Sequence, residues 1–356
     1  MAVERLRRTE ARHRSALWVL GALLLCLISP LARPIPALAV PPDPAVLAAQ
    51  VEPGLVQITT VVDFQKIISD GTGIVLSPDG QVLTNHHIVQ GANSIKARSV
   101  VNGQTFDADV IGYARGDDIA VLQLRGAFGL PVAPLGDSNL VAVGEPVLTI
   151  GNANGTGNPL THETGVVTNL NRTVEAEDGL TGGIDILGGM IESSTNLRSG
   201  DSGGALVNSM GRVVGLNAAA TLNVEEGGGL GPAGQGFAIP INRAMDIANQ
   251  IRNRVSSPSV HIGPSAMLGV GISAADDVDE GGLPVRSTLV DGPADQAGVR
   301  PGDIITMVDG VPVDSANALT GLLDHHYPGD VIELHWIDQA GTQRNAKITL
   351  FVGPVS

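Results

Sequence analysis

The sequence predicts a mainly β protein: two small antiparallel barrels or a sandwich, followed by a smaller α+β unit. Three observations point there. Short runs rich in Val, Leu, Ile and Thr recur about every 8–12 residues, with Gly, Pro and Asp between them, which is the rhythm of strands joined by turns. Aromatic residues are 3% of the chain, so the core is built from branched aliphatics and alanine, and 46 glycines imply many turns. A clear helical period appears late, where Ile241, Ala244, Met245, Ile247, Ala248 and Ile251 share one face.

Taken in order, residues 41–50 (PPDPAVLAAQ) give a proline-rich approach and one helical turn. Strand patterns follow at 54–62, 73–76, 81–84 and 119–124, with Ser77-Pro-Asp-Gly80 and Arg115-Gly-Asp-Asp118 as turns. A second set runs through 146–150, 163–170, 204–207, 212–218 and 236–239, with a turn at Leu135-Gly-Asp-Ser138. The helix at 241–255 closes this β region, and Ser256-Ser-Pro-Ser259 begins a linker. The third unit has strands at 268–273, 285–290, 303–308, 331–337 and 346–351. A short helix at 294–297 is ended by Gly298, and a second helix at 315–325 is capped by Ser315. The Gly-rich stretches 179–189 and 227–236 read as loops, and there is no internal repeat.

A length of 356 residues suits two or three domains, and 43% hydrophobic against 16% charged residues marks the bulk as globular. The first 39 residues read as an export signal. Five arginines between Arg5 and Arg14 precede the apolar run Ala16–Ile28, which is short for a bilayer span, and Ala37-Leu-Ala39 offers a cleavage site. Removing residues 1–39, with six Arg and two Glu, would take the net charge from −15 to −19. Such an acidic surface disfavours nucleic acid and anionic membrane. Cys26 lies within this segment and is the single cysteine, so the mature protein would have neither a disulfide scaffold nor a cysteine nucleophile.

The chemistry-bearing stretch is Ser199-Gly200-Asp201-Ser202-Gly203-Gly204. Glycines around Ser202 allow a sharp turn in which the N–H groups of Gly200 and Ser202 can face one small space, suited to the oxyanion of an acyl intermediate. A serine hydroxyl needs a base, and the base needs an acid to fix its tautomer. His87, in Thr84-Asn-His-His-Ile-Val89, and Asp118, opening Asp118-Ile-Ala-Val-Leu122, both stand at strand edges upstream. The run 200–204 also satisfies the G-x-S-x-G nucleophile elbow. That elbow demands a following helix with its acid and histidine later in the sequence, whereas a strand follows here.

These stretches resemble the HtrA/DegP family of exported serine proteases. Further matches are Gly71-Thr-Gly-Ile74, Leu135-Gly-Asp-Ser138, Val143-Gly-Glu-Pro-Val147, Ile150-Gly-Asn152, Thr164-Gly-Val166, Gly200–Leu206, Gly215-Leu-Asn217 and Gly236–Pro240, and together they reach across nearly all of 54–350. The pattern His325-His-Tyr-Pro-Gly-Asp330 is most similar to actinobacterial secreted PepA-type members. The resemblance implies a chymotrypsin-like double β-barrel over 40–255, a linker over 256–264 and a PDZ domain over 265–356. It implies His87 as base, Asp118 as orienting carboxylate, Ser202 as nucleophile, and Gly200 and Ser202 as the oxyanion hole. His86 and Asp117 are then solvent-facing neighbours. The resemblance further implies no metal or other cofactor, secretion or an envelope location, unfolded or peptide substrates, peptide C-termini as PDZ ligands and, as in many members, a homotrimer. Where many members have Asn, this protein has Asp201. In trypsin-like relatives that aspartate pairs with a new N-terminus, for which there is no activation sequence here, so Arg198 is the suggested partner.

The P1 pocket of such a fold is lined by Asn196 and Leu197 before the nucleophile and by Asn217, Ala218 and Ala219 after it. No carboxylate there selects Lys or Arg, so a small or medium aliphatic P1 such as Val or Ala is expected, with the backbone of 217–219 pairing to substrate as an added strand. In the PDZ unit, Leu268, Gly269 and Val270 form the carboxylate-binding loop, and the last side chain of a ligand enters between them and the 315–325 helix. The acidic run Asp276–Glu280 lacks the spacing of a calcium loop. The alternative functional class is a chaperone-like, peptide-binding module whose protease is latent or vestigial.

Overall fold

The computed structural model describes residues 43–62, 66–155, 159–177, 184–218, 222–223, 235–272 and 281–355. The export segment 1–39, Ala219 and the acidic run 276–280 lie outside them. Helix α1 (Pro44–Val51) leads into β1 (Leu55–Val62), β2 (Ile67–Val75), β3 (Gln81–Thr84), the one-turn helix α2 (His86–Val89), β4 (Ser94–Ser99), β5 (Thr105–Ala114) and β6 (Ile119–Leu124). These strands run β5-β4-β1-β2-β3-β6, and β5 pairs again with β6, so the sheet closes into a barrel. A second closed sheet contains β7 (Pro146–Gly151), β8 (Thr161–Glu177), β9 (Ile184–Ser193), β10 (Ala205–Asn208), β11 (Val213–Ala218), β12 (Leu222–Asn223) and β13 (Gly236–Pro240). Its order is β12-β8-β7-β10-β11-β13-β9, with β8 returning to β9. The expectation of two barrels or a sandwich thus resolves to two barrels.

Strands between the barrels are buried on both faces, and residues alternate between two cores. Ile119 and Val121 of β6 enter the core shared with the second barrel, while Ala120 and Leu122 enter the interior of the first. Ile74 and Val75, and likewise Leu83 and Val82, divide in the same way. This explains why Ile-Ala-Val-Leu reads as a continuous apolar run and not as an alternating one. Helix α1 adds Leu47, Ala48 and Val51 to the shared core. Helix α3 (Ile241–Arg252) adds Ile241, Ala244, Ala248 and Ile251, the face expected from its period.

The third unit has its own core around Leu283, Ile305, Leu334 and Trp336. The junction strand β14 (His261–Ile262) precedes it. The unit comprises β15 (Ala266–Met267), β16 (Val270–Ile272), β17 (Leu283–Thr288), α4 (Pro293–Ala297), β18 (Ile304–Val308), β19 (Val311–Pro312), α5 (Ala316–Leu323), β20 (Val331–Ile337), β21 (Gln343–Thr349) and β22 (Phe351–Val352). Ser315 caps α5 by accepting from the Ala318 N–H at 3.2 Å, and Gly298 ends α4 at φ +94°.

Two sequence expectations change. The stretch 256–264, read as linker, contains β14, which pairs with Tyr113 and Gly112 of β5 and extends the first sheet. Gly112 permits this approach, because a Cβ there would lie 2.5 Å from the His261 carbonyl oxygen. The glycine-rich stretch 179–189 is strand from Ile184 onward. Gly188 and Gly189 serve a bulge, with Gly189 at φ +72° where the β8–β9 register shifts between Arg172 and Val174. Because Leu122 is fully buried in the first barrel, Leu122→Ala should lower unfolding free energy by about 2–5 kcal/mol in denaturant titration.

Candidate active site

Register places the first two functional side chains. In the β3–β6 pair Thr84 stands opposite Ala120, so the residues just after β3 lie beside those just before β6. His87 follows on α2, and Asp118 closes the 3-10 turn Arg115–Asp117 in a left-handed conformation (φ 53°, ψ 46°) that aspartate tolerates better than most residues. Asn85 Nδ2 donates to the Asp118 carbonyl at 3.0 Å and holds that turn. The buried Asp118 carboxylate then grips His87 twice. Oδ1 accepts from the His87 backbone N–H at 3.0 Å, and Oδ2 lies 2.9 Å from Nδ1. With Nδ1–H donating to a carboxylate, the lone pair of the neutral ring resides on Nε2, which is the arrangement of a general base.

The Ser202 turn is clamped against the same strands. Thr72 of β2 is its anchor. Its N–H donates to the Ser202 carbonyl at 2.8 Å, and its hydroxyl donates to the Gly200 carbonyl at 2.8 Å. Its own carbonyl accepts from Thr84 Oγ1 at 2.7 Å, which ties the turn to the strand leading into His87. Gly203 sits at φ +78°, and a Cβ there would fall 2.0 Å from the Thr72 carbonyl oxygen and 2.4 Å from Thr84 Oγ1. No side chain is compatible with that contact.

Two further carbonyls in the turn are fixed. The Ser199 carbonyl accepts from Asn154 N–H at 2.7 Å, and the Asp201 carbonyl from Gly204 N–H at 3.0 Å. In a trans peptide the C=O and N–H point oppositely. Each of these bonds therefore directs the N–H of the next residue, Gly200 or Ser202, away from Asn154 or Gly204. The turn is set without any cleaved terminus.

Asp201 is 3% exposed. Its Oδ1 accepts from Thr161 Oγ1 at 2.7 Å and its Oδ2 from the Arg198 backbone N–H at 3.0 Å. Arg198 is thus a partner through its backbone, while its guanidinium pairs with Glu163. Burial raises the Asp201 carboxyl above its ordinary value near 3.8, against the lowering effects of the Thr161 hydroxyl and the Arg198 amide.

Several neighbouring expectations are corrected. His86, read as solvent-facing, is 3% exposed and lies against the Tyr113 ring. Asp117 is half-buried and paired with Arg243 of α3 (Nε at 3.0 Å). Asn217 has no backbone to offer a substrate strand. Its N–H donates to Gly204 and its carbonyl accepts from Gly203, both at 2.9 Å. Ala218, also buried, already pairs with Phe237 of β13. Leu197 is half-buried against Gly236, and Asn196 is exposed. Sequence reasoning gave no role to Thr72 or Thr161. The one signal for Thr72 was a threonine between two glycines inside a strand.

Residues 71–216 match the trypsin-like peptidase domain, and residues 285–333 match the PDZ domain. Serine protease PepD of Mycobacterium tuberculosis is 33% identical over 327 residues, covering 89% of this chain and 68% of that protein. The chain belongs to the HtrA family of serine proteases. The putative serine protease HhoA of Synechocystis is 30% identical over 303 residues, covering 81% of this chain and 69% of its own. A probable periplasmic serine endoprotease, DegP-like, of Halomonas elongata is 34% identical over 284 residues, and the chain spans 56% of its length.

The PDZ unit of this HtrA-type protein has a groove of about 720 Å³. Leu268, Gly269 and Val270 line it together with Leu319 and Leu323 of α5. Less expected, residues 90–93 of the first barrel and 352–355 also wall it, and Gly91 N–H donates to the Val355 carbonyl at 2.6 Å.

Two outcomes follow from the Ser202 turn. Thr72→Val keeps the shape of the strand but removes the shorter of the two bonds to the Gly200 carbonyl, so kcat should fall about tenfold or more at similar KM in peptide hydrolysis. For Asp201, the unfolded state ionises near 3.8 while the folded carboxyl still holds its proton. Folding stability contributed by this group is therefore lost as pH rises through that window and is constant above it. Chemical denaturation from about pH 4 to pH 7 should show Asp201→Asn gaining on the wild type as pH rises.

Proposed function

We propose that this protein is an exported, ATP-independent serine endopeptidase that degrades unfolded or damaged protein. In this reading Ser202 is the nucleophile, His87 the base, Asp118 the carboxylate that orients it, and the Gly200 and Ser202 amides the oxyanion hole. The observation that carries it is the double grip of Asp118 on His87 beside a serine turn in which the carbonyls of residues 199–202 are each hydrogen-bonded.

The steps are those of acyl transfer. His87 Nε2 accepts the proton of Ser202 Oγ as that oxygen attacks the scissile carbonyl carbon. Asp118, accepting from Nδ1–H, stabilises the imidazolium. The two amides receive the oxyanion. The proton passes to the leaving amine as the C–N bond breaks, and water then takes the place of the amine to hydrolyse the ester. The PDZ groove receives the C-termini of peptides, through the N–H groups of the 268–270 loop and the apolar wall of Leu319 and Leu323. Domain limits of 1–39, 40–255, 256–264 and 265–356, an envelope or secreted location and a homotrimer complete the proposal. The envelope location is supported by the periplasmic naming of the DegP-like relatives. Among the described residues no helix is long and apolar enough to cross a membrane.

P1 selectivity rests on Leu197 and on alanines, so cleavage should follow small aliphatic residues. A fluorophosphonate should label the wild type and not Ser202→Ala, and products from an unfolded protein should end in residues such as Val or Ala. Cleavage after Lys or Arg would overturn the pocket assignment. A wild type silent to the probe under all conditions would favour the peptide-binding module.

A further inference from the structure

The sequence has two tyrosines, Tyr113 in β5 and Tyr327 after α5, and both stand in one column of rings. His86 and Tyr113 lie 4.9 Å apart between ring centroids, Tyr113 and His261 5.0 Å, and His261 and Tyr327 4.7 Å, with interplanar angles of 31°, 22° and 25°. These are contact distances for stacked rings. The column begins one residue before His87, crosses the first barrel wall at β5, passes through β14 and ends in the third unit. The inner three rings are buried, while Tyr327 is 37% exposed at the outer end.

Polar bonds fix the column from the third unit. Tyr113 Oη donates to Asp324 Oδ1 at 2.8 Å and lies 3.1 Å from Ser265 Oγ. The His261 ring is held at both nitrogens, with Nδ1 2.8 Å from the Asp324 carbonyl and Nε2 3.1 Å from the Pro264 carbonyl. A parallel link reaches the acid. Arg115, in the turn that Asp118 closes, donates to Asn317 Oδ1 of α5 at 2.9 Å.

Helix α2 has only four residues and no side-chain N-cap, so tertiary contacts must hold it. Successive residues on a helix point about 100° apart, so fixing the His86 ring fixes the rotation of the turn and with it the direction of His87. From this geometry we infer that Tyr113 is a positioning residue for His87, acting through His86, and that the third unit holds Tyr113 in place, Asp324 directly and Tyr327 through the His261 ring. The inference rests on His87 being the base.

The test uses the full-length protein and a short chromogenic peptide with its C-terminus blocked, which keeps it out of the PDZ groove. Tyr113 is buried and its loss can disturb folding, so Tyr327→Leu, at the exposed end, is the principal variant, with Tyr113→Phe to remove only the hydroxyl. Both should lower kcat and the rate of fluorophosphonate labelling about three- to tenfold with KM unchanged. The downfield His87 Nδ1 proton resonance should move in both. Tyr327→Phe, which keeps the ring, should restore all three readouts. Wild-type values of kcat, labelling rate and resonance in Tyr327→Leu and Tyr113→Phe would overturn the inference and leave the protease reading intact. A wild type that the fluorophosphonate never labels would overturn both.

Discussion

The doubly buried seam between the barrels is the constraint on which the site depends. Strands β2, β3 and β6 bury one face in the first barrel and the other against the second barrel, α1 and α3. A slip of one residue would exchange Ile119 and Val121 for Ala120 and Leu122 between two cores of different shape, so register is tightly specified. With Thr84 locked opposite Ala120, His87 and Asp118 leave adjacent strand ends and meet without searching. The position of the His87–Asp118 pair is therefore a consequence of aliphatic packing a few residues away.

The same seam supplies the anchor for the serine turn. Thr72 is fully buried and lies on β2, two residues before Ile74 of the shared core. Its hydroxyl, amide and carbonyl are all engaged by the turn or by Thr84. The buried Thr72 hydroxyl holds the Gly200 carbonyl in one direction, and an apolar isostere would leave that carbonyl only the longer bond from the Asn152 N–H at 3.3 Å. Asp201 approaches the turn from the second barrel, through Thr161 of β8 and the Arg198 amide. Here a threonine hydroxyl and a backbone amide are the groups that meet the carboxylate. Neutral donors do not offset the desolvation of a carboxylate as an ammonium would, which accounts for the upward push on the Asp201 carboxyl.

What could be read from the sequence was what short segments encode by themselves. The barrel strands, the face of α3, the capping of α5 by Ser315 and the candidates His87, Asp118 and Ser202 all rest on patterns within about ten residues. What could not be read depends on pairings between distant segments. His86 looked like a spare loop histidine because its ring partner Tyr113 is far away in sequence and is itself covered from the third unit. Asn217 failed for a different reason: alternate residues of a strand face opposite ways, so a one-residue offset exchanges a backbone that points outward for one already spent on Gly203 and Gly204. Gly112 gave no hint that β14 would lie across it, since a glycine in a strand marks a close approach without naming its partner.

The joining segment shows how far the third unit is built into the first barrel. A flexible tether would leave 256–264 unpaired, yet His261 and Ile262 take up ladder positions on β5, and the His261 ring spends both nitrogens on third-unit or junction carbonyls. Helix α5 consequently has two working faces. Leu319 and Leu323 border the groove, while Asn317 at its start and Asp324 just past its end bond to the barrel. The first pair and the second thus belong to one short segment, whose barrel side bonds to Arg115 and Tyr113. Those two residues lie shortly before Asp118 in sequence, on the strand and turn that position it. Groove and Asp118 are thus separated by one helix and one strand, joined throughout by hydrogen bonds and packed side chains.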